Sequence, residues 1–179
     1  MIIFFQLVNR MMPMQNFFRD KVILKCFLTS RCRFFKVEKI RVAEKNIGYC
    51  RACYACKESG KCVIKDDMAD ILQKMIDADV IVLASPVYFY SIDAQLKTLI
   101  DRTVARWLEV KNKEFYYIMT AADSEAESME TTLACFRGYA DCVNGAKEMG
   151  VIYGTGVYEK GEVADTKAMS EAYKMGLKV

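Results

Sequence analysis

One short run of apolar residues restricts the fold more than any other feature of the sequence. Residues 80–84 read Val-Ile-Val-Leu-Ala, and a continuous apolar run of this length is typical of a parallel strand that is covered on both faces. The segments 37–42, 115–119 and 151–156 have the length and the apolar or β-branched residues of further strands. The sequence therefore predicts a mostly parallel sheet buried between other elements.

Amphipathic helices are predicted to alternate with these strands. Asp66 or Asp67 can cap a helix that leads into the central strand, and Ser91 can cap a second helix that follows it. Two longer helical patterns cover residues 124–149 and 166–177. Charged residues on the outer side of the second helix are predicted to be solvated or to form a subunit contact: Lys97, Asp101 and Arg102.

The order of these elements predicts the fold class. Strands and helices that alternate along a chain form right-handed βαβ units. The predicted fold is therefore an α/β doubly wound parallel sheet in a three-layer α/β/α sandwich. Ligands of such sheets bind beyond the carboxyl ends of the strands, and two of those ends lie near Ala84 and Thr120.

The first 36 residues form an atypical basic segment. They carry seven Lys or Arg residues against one acid, whereas residues 37–179 carry 19 against 22, and every glycine lies at or after Gly48. Residues 2–8 and 22–28 are both candidates for the first strand, but neither is followed by a glycine-rich loop and a helix. We therefore divide the chain into this segment, 1–36, and a domain at 37–179. The segment is either a basic arm or a mis-specified sequence.

The composition excludes several classes of chemistry and location. The chain contains no histidine, so it cannot use a Ser-His-Asp triad, a His-ligated zinc ion or an imidazole proton shuttle. No apolar run approaches the 18 residues of a membrane span, and residues 1–8 lack the basic start of a secretory signal. We expect a cytoplasmic protein whose reaction chemistry comes from other groups or from a cofactor.

Four of the eight cysteines are clustered. Cys50, Cys53, Cys56 and Cys62 follow the spacing C-x2-C-x2-C-x5-C, and thiolates two residues apart in a tight loop can bind one iron-sulfur cluster. A zinc ion is a weaker alternative, because zinc sites usually use two well-separated C-x2-C pairs. The thiols can also line a loop without any metal. We assign no role to the scattered cysteines, which are Cys26, Cys32, Cys135 and Cys142.

The loop after the central strand is rich in aromatic residues. Ser85 and Pro86 lead into Val87, Tyr88 and Phe89, where aromatic faces and backbone amides can meet a flat heteroaromatic ring. The alternative is that these side chains only cover the end of the sheet. Spacing alone does not choose between the two.

Three stretches carry a resemblance to a known family. They are CRACYACKESGKCVIKDDM (50–68), SPVYFYSIDAQLKTLIDR (85–102) and GTGVYEKGEVADTKAMSEAYKMG (154–176). Together they resemble the NADPH-dependent FMN reductase and iron-sulfur flavoprotein branch of the flavodoxin-like superfamily, over about residues 37–179. The resemblance implies a flavodoxin-like fold, bound FMN, a [4Fe–4S] cluster on the four clustered cysteines and a homodimer or tetramer.

The resemblance also implies which residues face the flavin ring. Residues 85–89 would form one ring-facing loop, from Ser85 to Phe89. A second loop would be made by Thr120, Ala121, Ala122 and Asp123. The family usually has glycines in this second loop, so Ala121 and Ala122 are a departure from its pattern.

The largest departure from the family lies at the front of the chain. The family usually begins with a strand and a loop like GSPRKNGNT, which holds the FMN phosphate at a helix N-terminus. Residues 1–36 have about the right length for this strand, loop and helix but not the residues. A frameshifted or mispredicted reading frame explains both facts, and resequencing or an intact mass of the native protein tests it.

The resulting functional hypothesis is an FMN-dependent oxidoreductase. NAD(P)H would reduce the flavin, which would pass electrons to a second acceptor such as free flavin, a quinone or an electron-transfer protein. No side chain is assigned as a catalytic acid or base. The alternatives are a non-catalytic iron-sulfur and flavin electron carrier and a zinc-binding interaction module. Neither a membrane nor a nucleic acid is the expected partner.

Overall fold

A parallel sheet of five strands organises the computed structural model, which describes residues 1–6, 36–159 and 161–179. The strand order is β2-β1-β3-β4-β5 and every pairing is parallel. This 2-1-3-4-5 order is that of flavodoxin-like doubly wound folds, so the predicted fold class is confirmed. The strands are β1 (Ile2–Gln6), β2 (Val37–Arg41), β3 (Val80–Pro86), β4 (Glu114–Thr120) and β5 (Lys147–Gly154).

The first strand of the sheet comes from the atypical segment. β1 pairs on one side with β2, Ile2 opposite Val37, and on the other with β3, Ile2 opposite Val80. The candidate strand near the start of the chain therefore lies in the sheet. The second candidate at residues 22–28, and the place of a phosphate loop, lie outside the described residues, so the reading-frame hypothesis stays a prediction.

Helices pack on both faces of the sheet, as a three-layer sandwich requires. Helices α2, α3 and α4 share a core with one set of strand side chains, and α5 shares a second core with the alternate set. No helix in the described part of the chain is long and apolar enough to cross a membrane. Among the described residues, the α-helices are α1 (Cys56–Ser59), α2 (Met68–Asp77), α3 (Ala94–Arg102), α4 (Glu130–Asp141) and α5 (Lys167–Gly176).

Strands β3 and β4 lie between two layers of helices, so neither strand has a face that is exposed to solvent. All seven residues of β3 are buried. Ile81 and Leu83 point into the core under α2 to α4, whereas Val82 points into the core under α5. On the first side, the Tyr117 and Phe136 rings stack with centroids 5.3 Å apart. The apolar run at residues 80–84 is thus explained as predicted: the strand is parallel and is covered by helices on both faces.

The boundary between α4 and β5 differs from the prediction. A helix through residue 149 and a strand at 151–156 were expected, but α4 ends at Asp141 and β5 begins at Lys147. Gly145 has a φ of 73°, and a Cβ there would lie 2.3 Å from Asn112 Oδ1. A residue with this left-handed φ cannot lie inside an α-helix that continues to residue 149, although α4 itself already ends before it, with a right-handed cap at Cys142. The exposed start of β5 carries no apolar pattern that would reveal it as a strand.

Phe136→Ala is expected to lower the free energy of unfolding by about 3–5 kcal/mol, because a fully buried ring is removed and leaves a cavity. Chemical denaturation followed by circular dichroism measures the change. Tyr158→Ala is the matched control, since Tyr158 is a largely exposed aromatic residue and its truncation should change stability by less than about 0.5 kcal/mol. Equal effects of the two substitutions would contradict the core assignment.

Candidate functional site

The loops after three neighbouring strands are hydrogen-bonded to one another at the carboxyl edge of the sheet. The Val87 N–H donates to the Thr120 carbonyl over 2.8 Å, and the Ala121 N–H donates to the Gly154 carbonyl over 3.0 Å. The Val157 N–H returns a bond to the Ala121 carbonyl at 2.9 Å. The two loops predicted to face a ring are therefore brought together, and the loop after β5 joins them.

The loop after β3 contains a strained two-residue turn. Tyr88 and Ser91 exchange backbone hydrogen bonds of 2.9 and 3.0 Å, and the residues between them, Phe89 and Tyr90, have φ values of 49° and 62°. Positive φ at both central positions defines a type I′ turn, which normally uses Asn-Gly. Two aromatic residues at these positions cost conformational energy, and the Phe89 side chain at the tip is fully exposed.

Buried polar contacts fix the base of this loop. The Ser85 hydroxyl accepts from the Asp93 N–H at 2.9 Å and lies 2.8 Å from Asp93 Oδ2, to which it can donate. Asp93 Oδ1 accepts from the Leu96 N–H at 2.8 Å and so caps α3. The predicted cap at Ser91 was wrong, because the backbone of Ser91 is still paired with Tyr88 in the turn and α3 begins only at Ala94. Burial raises the pKa of Asp93.

The predicted ring-facing residues differ in their exposure. Ser85 and Pro86 are buried at the end of β3, Val87 and Tyr88 are half-buried, and Phe89 is exposed. Burial, followed by the Asp93 charge, raises the pKa of Tyr88. The side chains available to a ligand at this loop are therefore the later ones.

The loop after β4 is similarly graded from buried to exposed. Thr120 and Ala121 are buried, whereas Ala122 and Asp123 are exposed. The Asp123 carbonyl accepts from the Gly156 N–H at 2.7 Å. A Cβ on Gly154 would lie 2.9 Å from Thr120 Cγ2, so glycine is needed for the close approach of these loops. The loop after β5 is therefore a third part of this edge, which the sequence analysis did not include among the site residues. The Gly-Thr-Gly sequence at 154–156 is the feature that indicates it.

The four clustered cysteines line one cavity of about 280 Å³. All four are free thiols; Cys53 is exposed and the other three are half-buried. Ala52 and Tyr54, on either side of Cys53, have φ values of 51° and 55°, and non-glycine residues in this region are typical of functional loops. In the described part of the chain, no three Cys, Asp or Glu side chains lie close enough together to bind one metal ion.

A buried ion pair fixes both ends of this cysteine loop. Arg102 Nη1 and Nη2 donate to the Asp66 carboxylate at 2.7 and 3.0 Å, and Nη1 also donates to the Gly48 carbonyl at 2.5 Å. Asp66 in turn accepts from the Gly48 N–H at 2.9 Å and the Met68 N–H at 3.1 Å. The Arg102 and Asp66 side chains are only 1% and 3% exposed. Gly48 precedes the first cysteine and Asp66 follows the last, so the loop is closed at its base.

Two predictions about these residues therefore need correction. Arg102 was placed on the solvent side of its helix, but it is buried because its guanidinium has a carboxylate partner from a distant segment. Asp66 does accept from the start of α2, but its main partner is Arg102. Burial alone would raise the pKa of Asp66; the hydrogen bonds from Arg102, Gly48 and Met68 lower it instead. Burial alone would lower the pKa of Arg102, but Asp66 and Cys62 raise it.

Replacing Phe89 and Tyr90 together by Asn and Gly is expected to raise the free energy of unfolding by at least about 1 kcal/mol, because the new pair adopts the turn without strain. Urea denaturation measures the difference. Tyr158→Asn is the control, since Tyr158 is an exposed aromatic residue without a positive φ. A double variant no more stable than the wild type would show that the turn stores no strain.

Comparison with known proteins identifies relatives of this chain. The family model of NADPH-dependent FMN reductases matches residues 24–168. An iron-sulfur flavoprotein of Methanocaldococcus jannaschii is 52% identical over 68 residues, which are 38% of this chain and 35% of that protein. An iron-sulfur flavoprotein of Methanosarcina thermophila is 39% identical over 85 residues, 48% of this chain and 44% of that protein. The matched part is thus less than half the length of these curated relatives.

Solved structures share the fold at low sequence identity. An FMN-dependent NADH-azoreductase of Bacillus anthracis, determined in complex with FMN, superposes with a TM-score of 0.75 at 14% identity, covering 99% of this chain and 97% of that one. The Trp repressor binding protein of Bacillus subtilis gives 0.66 at 16% identity, covering 97% of both chains. Because the family model matches most of the chain, the resemblance inferred from the sequence is confirmed: the chain belongs to the NADPH-dependent FMN reductase family.

Proposed function

We propose that this protein is an FMN-dependent oxidoreductase that passes electrons from NAD(P)H, through bound flavin, to a second acceptor. The family and its flavoprotein relatives support a flavin-dependent oxidoreductase. The observation that carries the proposal is the strained Phe89-Tyr90 turn at the carboxyl edge of the sheet. The chain gives up stability to expose aromatic residues at the position where doubly wound folds bind their ligands.

The backbone around this turn fits the ring of a flavin. In the described structure, the N–H groups of Phe89, Tyr90, Ala122 and Asp123 donate no hydrogen bond. Free amides on two adjacent loops can donate to the carbonyl oxygens and ring nitrogens of an isoalloxazine. The exposed Phe89 and the half-buried Tyr88 supply apolar surface beside them.

The residues at this edge would position the ring of the flavin. When bound, FMN supplies the hydride and electron chemistry of the reaction. The loops after β3 and β4 bind and orient it through backbone groups, and the Ser85-Asp93 contact holds the first loop in place. Tyr88 retains its proton because burial raises its pKa. No side chain of the chain is assigned to proton transfer, consistent with the absence of histidine.

The cysteine cavity fits an iron-sulfur cluster, which Cys50, Cys53, Cys56 and Cys62 would hold. Four thiols facing one cavity are the donor set of a [4Fe–4S] group. Zinc sites usually use two well-separated C-x2-C pairs, whereas the compact C-x2-C-x2-C run of this loop is the pattern of ferredoxin-type clusters. The spacing of the cysteines therefore favours the cluster over zinc. When bound, the cluster supplies one-electron transfer.

An apolar surface supports the expected homodimer or tetramer. Val104, Trp107 and Leu108 follow α3 and are exposed, next to the cavity that the cysteines line. Contiguous exposed apolar residues are typical of interaction sites. A second copy of the chain is the occupant that we propose, and sedimentation at micromolar concentration tests it.

Freshly purified protein, handled without oxygen, is expected to contain about one FMN and about four irons per chain and to oxidise NADPH when a quinone or free flavin is added. Flavin and iron are quantified after extraction, and NADPH oxidation is followed by absorbance. Flavin and iron without NADPH oxidation would favour the electron carrier instead. A colourless protein containing zinc would exclude both and favour the zinc-binding module.

Cys53→Ser is expected to abolish stoichiometric iron while leaving bound FMN unchanged, because the cysteine loop and the ring-facing loops are separate. Iron and flavin contents are measured on the same sample. Cys142→Ser is the matched control, since Cys142 is also exposed but lies outside the cavity. Iron retained in the Cys53 variant at the wild-type level would contradict the assignment of these ligands.

A further inference from the structure

A single buried cation lies at the wall of the cysteine cavity. Arg102 lines this cavity together with all four clustered cysteines, and it also lines a neighbouring cavity of about 720 Å³ that contains Cys62. Its side chain is 1% exposed. Burying a guanidinium to this extent is costly unless the charge is paired and its N–H groups are hydrogen-bonded.

The hydrogen bonds of Arg102 leave its Nε donor unused. Nη1 and Nη2 are occupied by Asp66 and the Gly48 carbonyl. Nε is buried and has no hydrogen-bond partner in the described structure. Cys62 is the one clustered cysteine that lines both of the cavities lined by Arg102. A buried donor without a partner needs an explanation, and a ligand on the neighbouring sulfur provides one.

The charge of Arg102 has a defined effect on a redox group bound at Cys62. One-electron reduction makes such a group more negative by one unit, and a nearby positive charge stabilises the reduced form. Because Arg102 is buried, water and salt screen its field much less than they screen an exposed lysine. Hydrogen bonds to the sulfurs and local charge are established determinants of iron-sulfur potentials.

We propose that Arg102 is a positioning residue that raises the reduction potential of an iron-sulfur cluster bound through Cys62, with Asp66 opposing part of that effect. This inference rests on the proposed cluster. The same ion pair that closes the base of the cysteine loop thus also sets how readily the cluster takes an electron. The exposed cations near the loop, Lys57, Lys61 and Lys65, contribute less because they are solvated.

The test compares midpoint potentials of the cluster in anaerobically purified variants by spectroelectrochemical titration. Arg102→Gln is expected to shift the one-electron equilibrium about tenfold toward the oxidised form, which is about 59 mV lower in potential. Asp66→Asn leaves Arg102 unopposed and is expected to shift the equilibrium in the opposite direction. A purely structural role of the pair predicts no such reversal of sign.

Two further variants complete the test. Arg106→Gln removes a cation that lines the neighbouring cavity but is more exposed and pairs with Glu109; it should change the equilibrium less than about twofold. The neutral double variant Asp66→Asn/Arg102→Gln leaves no buried charge unpaired, which keeps the test available if a single variant does not fold. Its potential should lie below that of the wild type but by less than in Arg102→Gln, because removing the Asp66 charge offsets part of the loss of Arg102, which lines both cavities together with Cys62.

Iron content separates the two proposals. Wild-type protein without stoichiometric iron would overturn the proposed cluster and this inference together. Wild-type protein with iron, combined with an iron-loaded Arg102→Gln or double variant whose potential equals that of the wild type, would overturn the inference alone. Shifts of the same sign in Arg102→Gln and Asp66→Asn would also overturn it.

Discussion

The ion pair between Arg102 and Asp66 is the contact on which the arrangement of the two candidate sites depends. Asp66 lies at the end of the cysteine loop and Arg102 at the end of α3. The other end of α3 is fixed by Asp93, which caps the helix and binds Ser85 below the aromatic turn. One helix is therefore held at both ends by buried polar contacts, with one candidate site at each end. Nine helical residues separate those ends by about 14 Å.

The two candidate sites use backbone conformation in a similar way. Non-glycine residues with positive φ occur beside Cys53 and at the tip of the turn after β3. Such residues are retained only when the surrounding structure fixes them. Here the buried ion pair fixes the first loop and the Ser85-Asp93 contact fixes the second. These buried contacts thus hold the cysteine loop and the turn after β3 in strained conformations that remain exposed to solvent.

Periodicity predicted the elements whose burial is determined locally. The apolar run at 80–84 and the helix that begins at Met68 form where the patterns placed them. The pattern failed where a partner from a distant segment decides the outcome. Arg102 is polar and was placed in solvent, but a carboxylate 36 residues away makes its burial favourable. The start of β5 was predicted wrongly for a local reason: its first residues are exposed, so they carry no apolar pattern that would indicate a strand.

The buried polar contacts at both ends of α3 have a consequence for the speed of the proposed electron transfer. An electron moves quickly only when the groups around the donor and acceptor need to rearrange little as the charge changes. Surface loops usually rearrange readily, because water and mobile side chains follow the charge. Here the polar groups behind each loop are buried and already oriented by their hydrogen bonds, so these groups would add little reorganisation to the proposed electron transfer.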